Sequence, residues 1–467
     1  MMKENKNKKI KLDHNNNNNN NTKKNKYKDI DYFIKKTKSD DRDKILIGLE
    51  ALFDIIVLTD ECDPIKNIIL SGLVPKFIEF LYLKDKKIQF ETCRILNKIV
   101  LSGQSCLESD TVHALVSLLD SGDPDLFNKA TKCLTSISKN KISQDLVLDS
   151  GATTKVLQLF SIDQENHRLS FIKNISCLFF SICRYHIPSF KTIEDFFPFI
   201  HYVFLNVTDE MIYLNVCKVL SRAISEFPEE TVSMFFKYDL FGKIIELLYY
   251  KDNLEIQNWS LNVVGSLICT EGVGFIKILS FRGLLPHLLR LLSSEKKKTS
   301  AWIIRNIAIE PCTQQLLFDH GIVEKLISML DSEKKLLNDI LYPIYYCLRD
   351  PDIVNQMVEL GIVKLLCSLL STLFYDNDRD ILVLKALLLI LNVNDLSSNN
   401  TSIVLEVFME AQFLHHLNNF VGKNQNHLTS KEISKVEKLI CYFDVYSNEI
   451  SQLYHLKEHY YNKWDLI

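Results

Sequence analysis

Short apolar stripes recur along this chain at intervals of roughly 40 residues. Each stripe follows a small turn and has the order apolar-x-x-apolar-apolar, as at Ile322, Leu326, Ile327 and Leu330. This spacing follows the 3.6-residue period of a helix that buries one face. Segments of this kind begin near Ser71, Ser109, Ser150, Ile193, Tyr238, Phe281, His320, Leu360 and Glu410. With a less regular first unit at 28–70, the pattern predicts an all-α protein of about ten repeats.

The stripe of a single repeat stays exposed to water unless the next repeat covers it. Stacked repeats therefore share one continuous, one-dimensional core. The period is that of armadillo and HEAT arrays, and we expect a right-handed superhelical armadillo-repeat α-solenoid. Five glycines stand where the second helix of a repeat begins, and a tight turn there needs a positive φ. They are Gly72, Gly151, Gly283, Gly321 and Gly361.

The composition agrees with a long helical array, since 47% of the residues are apolar and only 13 are Gly and 10 are Pro. The most apolar run, Ile381–Val393, is too short to span a bilayer and predicts a buried helix, so we expect no membrane association. The sequence shows no N-terminal signal-type segment. Its 12 cysteines form no Cys-x-x-Cys pair, which favours a reducing compartment, the cytoplasm or the nucleus.

The charge is distributed unevenly. The net charge is −3, but residues 1–27 hold eight Lys against Glu4 and Asp13, so the tail carries +6 and the remainder −9. The tail also contains the tract Asn15–Asn21, which cannot build a core. We expect a disordered tail at 1–27, a solenoid at 28–447 and a polar tail at 448–467.

Enzyme signatures are sparse. The segment His455–His459 reads HLKEH and fits a His-x-x-Glu-His zinc pattern, which keeps a metal-dependent hydrolase as a third hypothesis. A polar C-terminal helix explains the same residues. The sequence contains no Gly-rich phosphate loop and no paired-Cys metal spacing. We therefore expect no enzyme activity, no catalytic residues, no metal and no cofactor.

Several segments resemble the importin-α family of armadillo-repeat adaptors. Three of them are similar to its inner helices: Phe171–Pro188, Ser260–Gly272 and Lys296–Pro311. Similar segments lie at Asp63–Leu81, Ile88–Val100 and Glu432–Phe443, in the family's order. We expect each of the three inner segments to form one amphipathic helix. The resemblance implies an adaptor that carries nuclear localisation signals, with importin-β as a further partner.

In that family the third helix of each repeat presents a Trp and, one turn later, an Asn. The Trp rings hold the stems of Lys or Arg from the signal peptide, and the Asn amides bind its backbone. A basic N-terminal segment imitates cargo and binds importin-β. Here only the short basic runs Lys6–Leu12 and Lys23–Lys28 are left. The first run is either an autoinhibitory or localisation-type motif or a solvated tail, and a full receptor-binding helix is not evident.

We call the series of Trp and Asn positions on successive repeats the ladder. When these positions are located in this sequence, most of them hold other residues. Only Trp302 and Asn306 keep the full pair, with Arg305 and Glu310 nearby. The preceding repeat has Asn262 and Ser266. The other pairs, Trp place first, are Arg94 and Lys98, Lys132 and Ser136, Cys177 and Ser181, Lys218 and Arg222, and Leu341 and Tyr345.

The five cations in this set should disfavour a lysine-rich signal. Alternatively, the alignment is one turn off and these cations point to solvent, and Trp302 and Asn306 are ordinary packing residues. We predict a divergent import adaptor whose partners are basic signal peptides, bound weakly or in an altered way at Trp302. The alternative is an armadillo scaffold that has lost signal recognition. We expect a monomer that binds no nucleic acid directly.

Overall fold

The computed structural model describes residues 30–58, 63–103, 109–162, 168–250, 253–372, 377–393, 406–424 and 433–439. Within these ranges every regular element is a helix. They form an all-α armadillo-like solenoid, which confirms the predicted fold class. The chain divides into two compact units, unit 1 up to Met234 and unit 2 from Phe235. The predicted tails at 1–27 and 448–467 and the HLKEH segment lie outside the described residues.

The α-helices of unit 1 are Ile30–Thr37, Arg42–Leu58, Asp63–Leu70, Leu73–Tyr82, Lys86–Leu101, Ser109–Ser117, Pro124–Ile137, Lys141–Asp149, Ala152–Ile162, Leu169–Ile182, Phe190–Glu194, Phe197–Asn206 and Glu210–Glu226. Pro228–Tyr238 runs across the boundary between the units. Unit 2 contains Phe241–Leu247, Leu254–Phe281, Leu284–Leu291, Lys297–Ala308, Gln314–Asp319, Ile322–Met329, Leu337–Cys347, Pro351–Glu359, Ile362–Thr372, Asn377–Val393 and Phe413–Asn424. Two short helical segments lie at 406–410, before Phe413–Asn424, and at 433–439, after it.

One helix from each repeat packs directly on its counterpart in the next repeat, and we call these the ladder helices. In unit 1 they are Arg42–Leu58, Lys86–Leu101, Pro124–Ile137, Leu169–Ile182 and Glu210–Glu226, which contact one another in that order. In unit 2 they are Leu254–Phe281, Lys297–Ala308, Leu337–Cys347 and Asn377–Val393, again in succession. Because each helix contacts its two neighbours, the core continues through each unit as the stripes predict.

Acidic or amide side chains begin several ladder helices. The side chain of Asp123 accepts from the backbone N–H groups of Asp125 and Leu126, and Asp85 and Asn253 cap their helices in the same way. A first-turn N–H has no partner within its own helix, so such a cap satisfies it. The hydrogen bond from Leu126 is the largest cause of the lowered pKa of Asp123.

The predicted glycine turns and core positions are confirmed. The five glycines have φ between 70° and 90°. Ile322, Leu326, Ile327 and Leu330 are all at most 4% exposed. The run Ile381–Val393 lies in a helix in which most apolar side chains are buried. An added side chain at these glycines would be strained by the positive φ even though the space around them is open.

The expected helix bounds need three corrections. The helix predicted at Lys296–Pro311 spans Lys297–Ala308, and Pro311 begins a separate 3-10 turn, Pro311–Thr313. The segment Ser260–Gly272 is not a helix by itself, because the backbone stays helical from Leu254 to Phe281. That stretch contains no proline that would end the helix. The helix predicted at Phe171–Pro188 ends earlier, at Ile182, and a turn leads from there to Pro188.

Among the described residues, no single helix is long and apolar enough to cross a membrane. One bent pair, Pro351–Glu359 with Ile362–Leu370, reaches the required length and composition when its two parts are joined.

We expect Asp123→Ala to lower the free energy of unfolding by about 0.5–2 kcal/mol, since it removes an N-cap. Asp123→Asn keeps an acceptor oxygen at the same place and should retain most of the stability. Urea unfolding followed by circular dichroism measures both changes. Equal losses in the two variants would show that the cap does not stabilise the helix.

His287 should make the protein less stable in mild acid. Burial lowers the pKa of this fully buried imidazole to about 4, from an ordinary value of 6.5. As pH falls from about 6.5 to about 4, the unfolded chain binds a proton that the folded chain does not, so stability is lost over that range. His287→Leu should flatten the pH dependence of Tm there while leaving its course above pH 7 unchanged. Parallel curves for the two proteins would contradict this.

Candidate functional site

The ladder helices present a regular alternation of buried and accessible side chains. In Lys297–Ala308, Trp302 is exposed, Arg305 and Asn306 are half-buried, and the intervening Ile303 and Ile304 are fully buried. The same order recurs one repeat earlier, where Asn262 is exposed and Ser266 half-buried. The predicted pairs Trp302/Asn306 and Asn262/Ser266 therefore occupy equivalent places on successive helices.

Trp302 lies against the backbone of the preceding ladder helix. A Cβ placed on Gly265 would come within 2.4 Å of Trp302 Cζ3, so only glycine leaves room for the indole. The side chain still exposes 39% of its surface. Asn306 Nδ2 donates to the backbone carbonyl of Trp302 at 2.9 Å, which holds the amide beside the ring. The Trp302 ring and the Asn306 amide therefore lie side by side on the accessible face of this helix.

The neighbours of this pair differ in their contacts. The Arg305 guanidinium lies 3.8 Å from the centre of the Tyr342 ring on the next ladder helix, a cation–π contact. Glu310 is half-buried and follows the end of the Trp302 helix. The sequence analysis predicted that Arg305 and Glu310 lie near Trp302 and Asn306. Arg305 already contacts Tyr342 within the chain.

The last predicted pair, Leu341 and Tyr345, was assigned one residue too early. Leu341 is 1% exposed and belongs to the core. Tyr342 and Tyr346, both half-buried, stand at the places in the burial pattern that Trp302 and Asn306 occupy in the preceding helix. Three tyrosines follow Leu341 within five residues, so the sequence alone does not distinguish neighbouring registers here. The 3-10 turn Lys334–Leu336 at the start of this helix is also a feature the repeat pattern did not predict.

In unit 1 the first cation of the ladder is engaged within the protein. Arg94 Nη1 donates to both carboxylate oxygens of Glu91, at 2.8 and 2.6 Å. Its guanidinium also lies 3.6 Å from the centre of the Phe53 ring on the preceding ladder helix. Arg94 is thus neutralised by a nearly buried carboxylate and stacked on an aromatic ring.

The next repeat brings two lysines to the same region. Lys129 Nζ lies 4.9 Å from the centre of the Phe90 ring, and Lys132 is exposed. Burial, then the charges of Lys132 and Arg94, lower the pKa of Lys129. Lys98 is half-buried on the helix before. The charges of Lys132 and Arg94 are thus close enough to Lys129 to disfavour its protonated form.

Further along unit 1, Lys218 Nζ lies 5.0 Å from the centre of the Phe180 ring. Arg222 donates to the backbone carbonyls of Cys183 and Arg184, just beyond the end of the preceding ladder helix. A cation at this place is favourable because carbonyl groups at a helix C-terminus carry partial negative charge. Arg222 therefore joins two adjacent repeats.

The remaining small ladder residues pack between helices. Ser136 and Ser181 are buried, and Ser181 Oγ donates to the carbonyl of Thr135 at 2.9 Å. Cys177 is half-buried and accepts from Asn215 Nδ2 at 3.4 Å. None of these three places offers an aromatic face or an unoccupied amide.

Sequence reasoning found Arg94 and Lys218 but missed Lys129 and the rings beneath all three of these cations. Phe53, Phe90 and Phe180 each lie about one repeat before the cation they receive. An aromatic residue that recurs roughly 40 residues before a cation is the signal that would have revealed them. The chain thus places its own cations on its own rings, while Trp302 keeps an accessible face.

Within the described part of the chain, no group of three or more His, Cys, Asp or Glu side chains is arranged to hold a metal ion. The HLKEH motif lies outside that part, so the zinc hypothesis gains no support from it.

Gly265→Ala should displace the Trp302 ring, because the new methyl group would overlap it. Overpacking of this kind typically costs about 1–3 kcal/mol. Gly422→Ala is a matched control, since Gly422 lies in a helix of the same unit and its Cβ would meet nothing within 4 Å. Tm should fall for the first variant only. If both variants kept the wild-type Tm, Gly265 would not support the indole.

Comparison with known proteins points to one family. No protein-family model matches the chain. It is 26% identical over 276 residues to importin subunit alpha-1b of Oryza sativa subsp. japonica, which is 57% of this chain and 50% of that protein. It is 22% identical over 263 residues to the probable importin subunit alpha-A of Dictyostelium discoideum, 52% of this chain and 47% of that protein.

Importin subunit alpha-4 of Arabidopsis thaliana is matched over a longer stretch, 24% identical over 407 residues, 83% of this chain and 74% of that protein. The crystal structure of an engineered protein superimposes with a TM-score of 0.66 at 19% identity, covering 89% of this chain and 99% of that one. This likeness concerns the fold alone. The chain spans about half the length of the first importin subunits it matches, and its similarity to them indicates an importin-α-like or armadillo-repeat relationship.

Proposed function

We propose that this protein is an importin-α-like adaptor of nuclear import that binds peptide segments of other proteins on the ladder of unit 2. The observation that carries the proposal is the pair Trp302 and Asn306. The indole is 39% exposed and seated on Gly265, and the amide is held beside it. An accessible indole face can take the stem and charge of a Lys or Arg side chain.

The proposed ligand is a basic signal segment bound in extended form. Asn306 has an amide oxygen and a second N–H group with which to meet a peptide backbone. The neighbouring ladder positions offer fewer contacts to a peptide. Asn262 and Ser266 have no aromatic ring, and the ring of Tyr342 is already in contact with Arg305. We therefore expect one effective clamp and weak binding. Adaptors act by binding, so no catalytic step is part of the proposal, and recruitment of importin-β and movement between cytoplasm and nucleus belong to it.

The contacts of unit 1 favour a second candidate, an armadillo scaffold without signal recognition. There the Trp places hold Arg94, Lys132, Cys177 and Lys218, and the rings at Phe53 and Phe180 are covered by the chain's own cations. A lysine-rich peptide would meet like charges on this face. The scaffold hypothesis would apply to the whole protein if Trp302 proved not to bind such a peptide.

Trp302→Ala should weaken binding of a fluorescent basic signal peptide about tenfold or more, from loss of roughly 1–2 kcal/mol of cation–π and packing energy. Fluorescence anisotropy measures the Kd. Tyr249→Ala, which removes another exposed aromatic residue of unit 2 outside the ladder, is the control and should leave the Kd unchanged. Equal Kd values for wild type and Trp302→Ala would favour the scaffold.

A further inference from the structure

The ladder of unit 1 carries a strong excess of positive charge. The first of its five helices, Arg42–Leu58, holds the carboxylates Asp43, Glu50 and Asp54 against Arg42 and Lys44. The windows on the four helices that follow, 90–100, 128–138, 173–184 and 214–224, contain eight cations, of which Arg184 lies just beyond the end of its helix, and one carboxylate, Glu91. The cations, which we call the basic ladder surface, are Arg94, Lys98, Lys129, Lys132, Lys173, Arg184, Lys218 and Arg222. The corresponding windows of unit 2, 258–268, 298–308, 338–348 and 381–391, contain three cations and one carboxylate. The excess therefore belongs to unit 1.

Little of this charge is neutralised within the unit. Glu91 pairs with Arg94, and Lys173 meets Asp209 at 3.5 Å. Lys129 lies on an aromatic ring, which attracts the ammonium group but leaves its charge in place. Among the described residues, Lys98 and Lys132 form no ion pair. The lowered pKa of Lys129, caused in part by Lys132 and Arg94, agrees with crowded positive charge.

A cleft adjoins this surface at the ends of the ladder helices. It has a volume of about 470 Å³ and is lined by Ser136, Lys139, Lys141, Ser143 and Tyr185, among others. Lys139 and Lys141 are exposed and add two cations beside Ser136, the residue one turn after Lys132. The cleft has room for acidic side chains next to hydroxyl and ammonium donors.

We propose that the basic ladder surface and this cleft form a docking site for an acidic, extended segment of a partner protein. Cations from successive repeats follow one another along the stacked helices, so a chain with carboxylates along its length can meet several of them at once. The charge is opposite to that of the ligand proposed for Trp302, and the inference concerns unit 1 alone. It stands whether or not a basic peptide binds unit 2.

The same charge could attract a nucleic acid, but the aromatic residues argue for a peptide. Binding of single strands relies on open aromatic faces on which bases stack. Here Arg94, Lys129 and Lys218 cover the rings of Phe53, Phe90 and Phe180. An acidic peptide needs only the cations and donors, which remain accessible at Lys98 and Lys132.

The test is anisotropy of a labelled peptide of about twelve residues in which Asp and Glu alternate with Gly and Ser, measured at low and moderate salt. The full-length protein should bind it at least about tenfold more tightly than a peptide with Asn and Gln in place of the acids, and the affinity should fall as salt rises. The double variant Lys98→Glu, Lys132→Glu should weaken binding by about tenfold or more.

A double variant of equal charge, Lys66→Glu and Lys155→Glu, is the control, because both lysines form their ion pairs on other helices of unit 1. It should change the Kd less than about twofold. Glu91→Gln, which frees Arg94 of its partner, should tighten binding. The proposal is overturned if the acidic and neutral peptides bind alike, if the two double variants weaken binding equally, or if a single-stranded oligonucleotide binds more tightly than the acidic peptide.

Discussion

Burial of apolar stripes between successive ladder helices is the constraint on which the rest of this structure depends. No helix of the array can cover its own stripe, so its stability comes from the two neighbours that flank it. The same packing aligns the accessible side chains. Trp302 is seated on Gly265 of one neighbour, and Arg305 reaches Tyr342 of the other. The row of accessible side chains on the ladder helices is therefore set by core packing. A change in packing register would change which side chains are accessible.

Electrostatics decides how each part of that row can be used. In unit 1 the cations follow one another over successive helices, and several rest on phenylalanine rings of the adjacent repeat. In unit 2 the row is less charged and more aromatic, with Trp302 accessible and tyrosines following it. Two surfaces of different chemistry thus arise from one repeated unit, because core positions repeat while surface positions are free to vary.

Much of the fold could be predicted from the sequence because its signals are local. Apolar periodicity located the helices, and the glycines that begin helices have the positive φ that their position suggested. The fused helix Leu254–Phe281 was missed, since Glu271 and Gly272 resemble a helix end and only the absence of a proline argues otherwise. The pair at Leu341 and Tyr345 was misassigned for a different reason. Which residue of a helix faces the core depends on how the helix packs. The sequence pattern alone therefore allowed the assignment to be wrong by one residue.

The site was less predictable because its contacts connect residues about one repeat apart. Glu91 lies three residues before Arg94, so their pairing is a local helical signal. In contrast, Phe53 reaches Arg94 from the preceding repeat, and Arg222 binds the carbonyls of Cys183 and Arg184 in the repeat before its own. The cation on Tyr342 has a further consequence. Arg305 is tethered beside that ring, so its effective concentration there is millimolar or higher. Arg305 therefore competes intramolecularly for the Tyr342 ring. A free ligand that contacts this ring through a single ammonium group would have to displace a cation that is covalently part of the same chain.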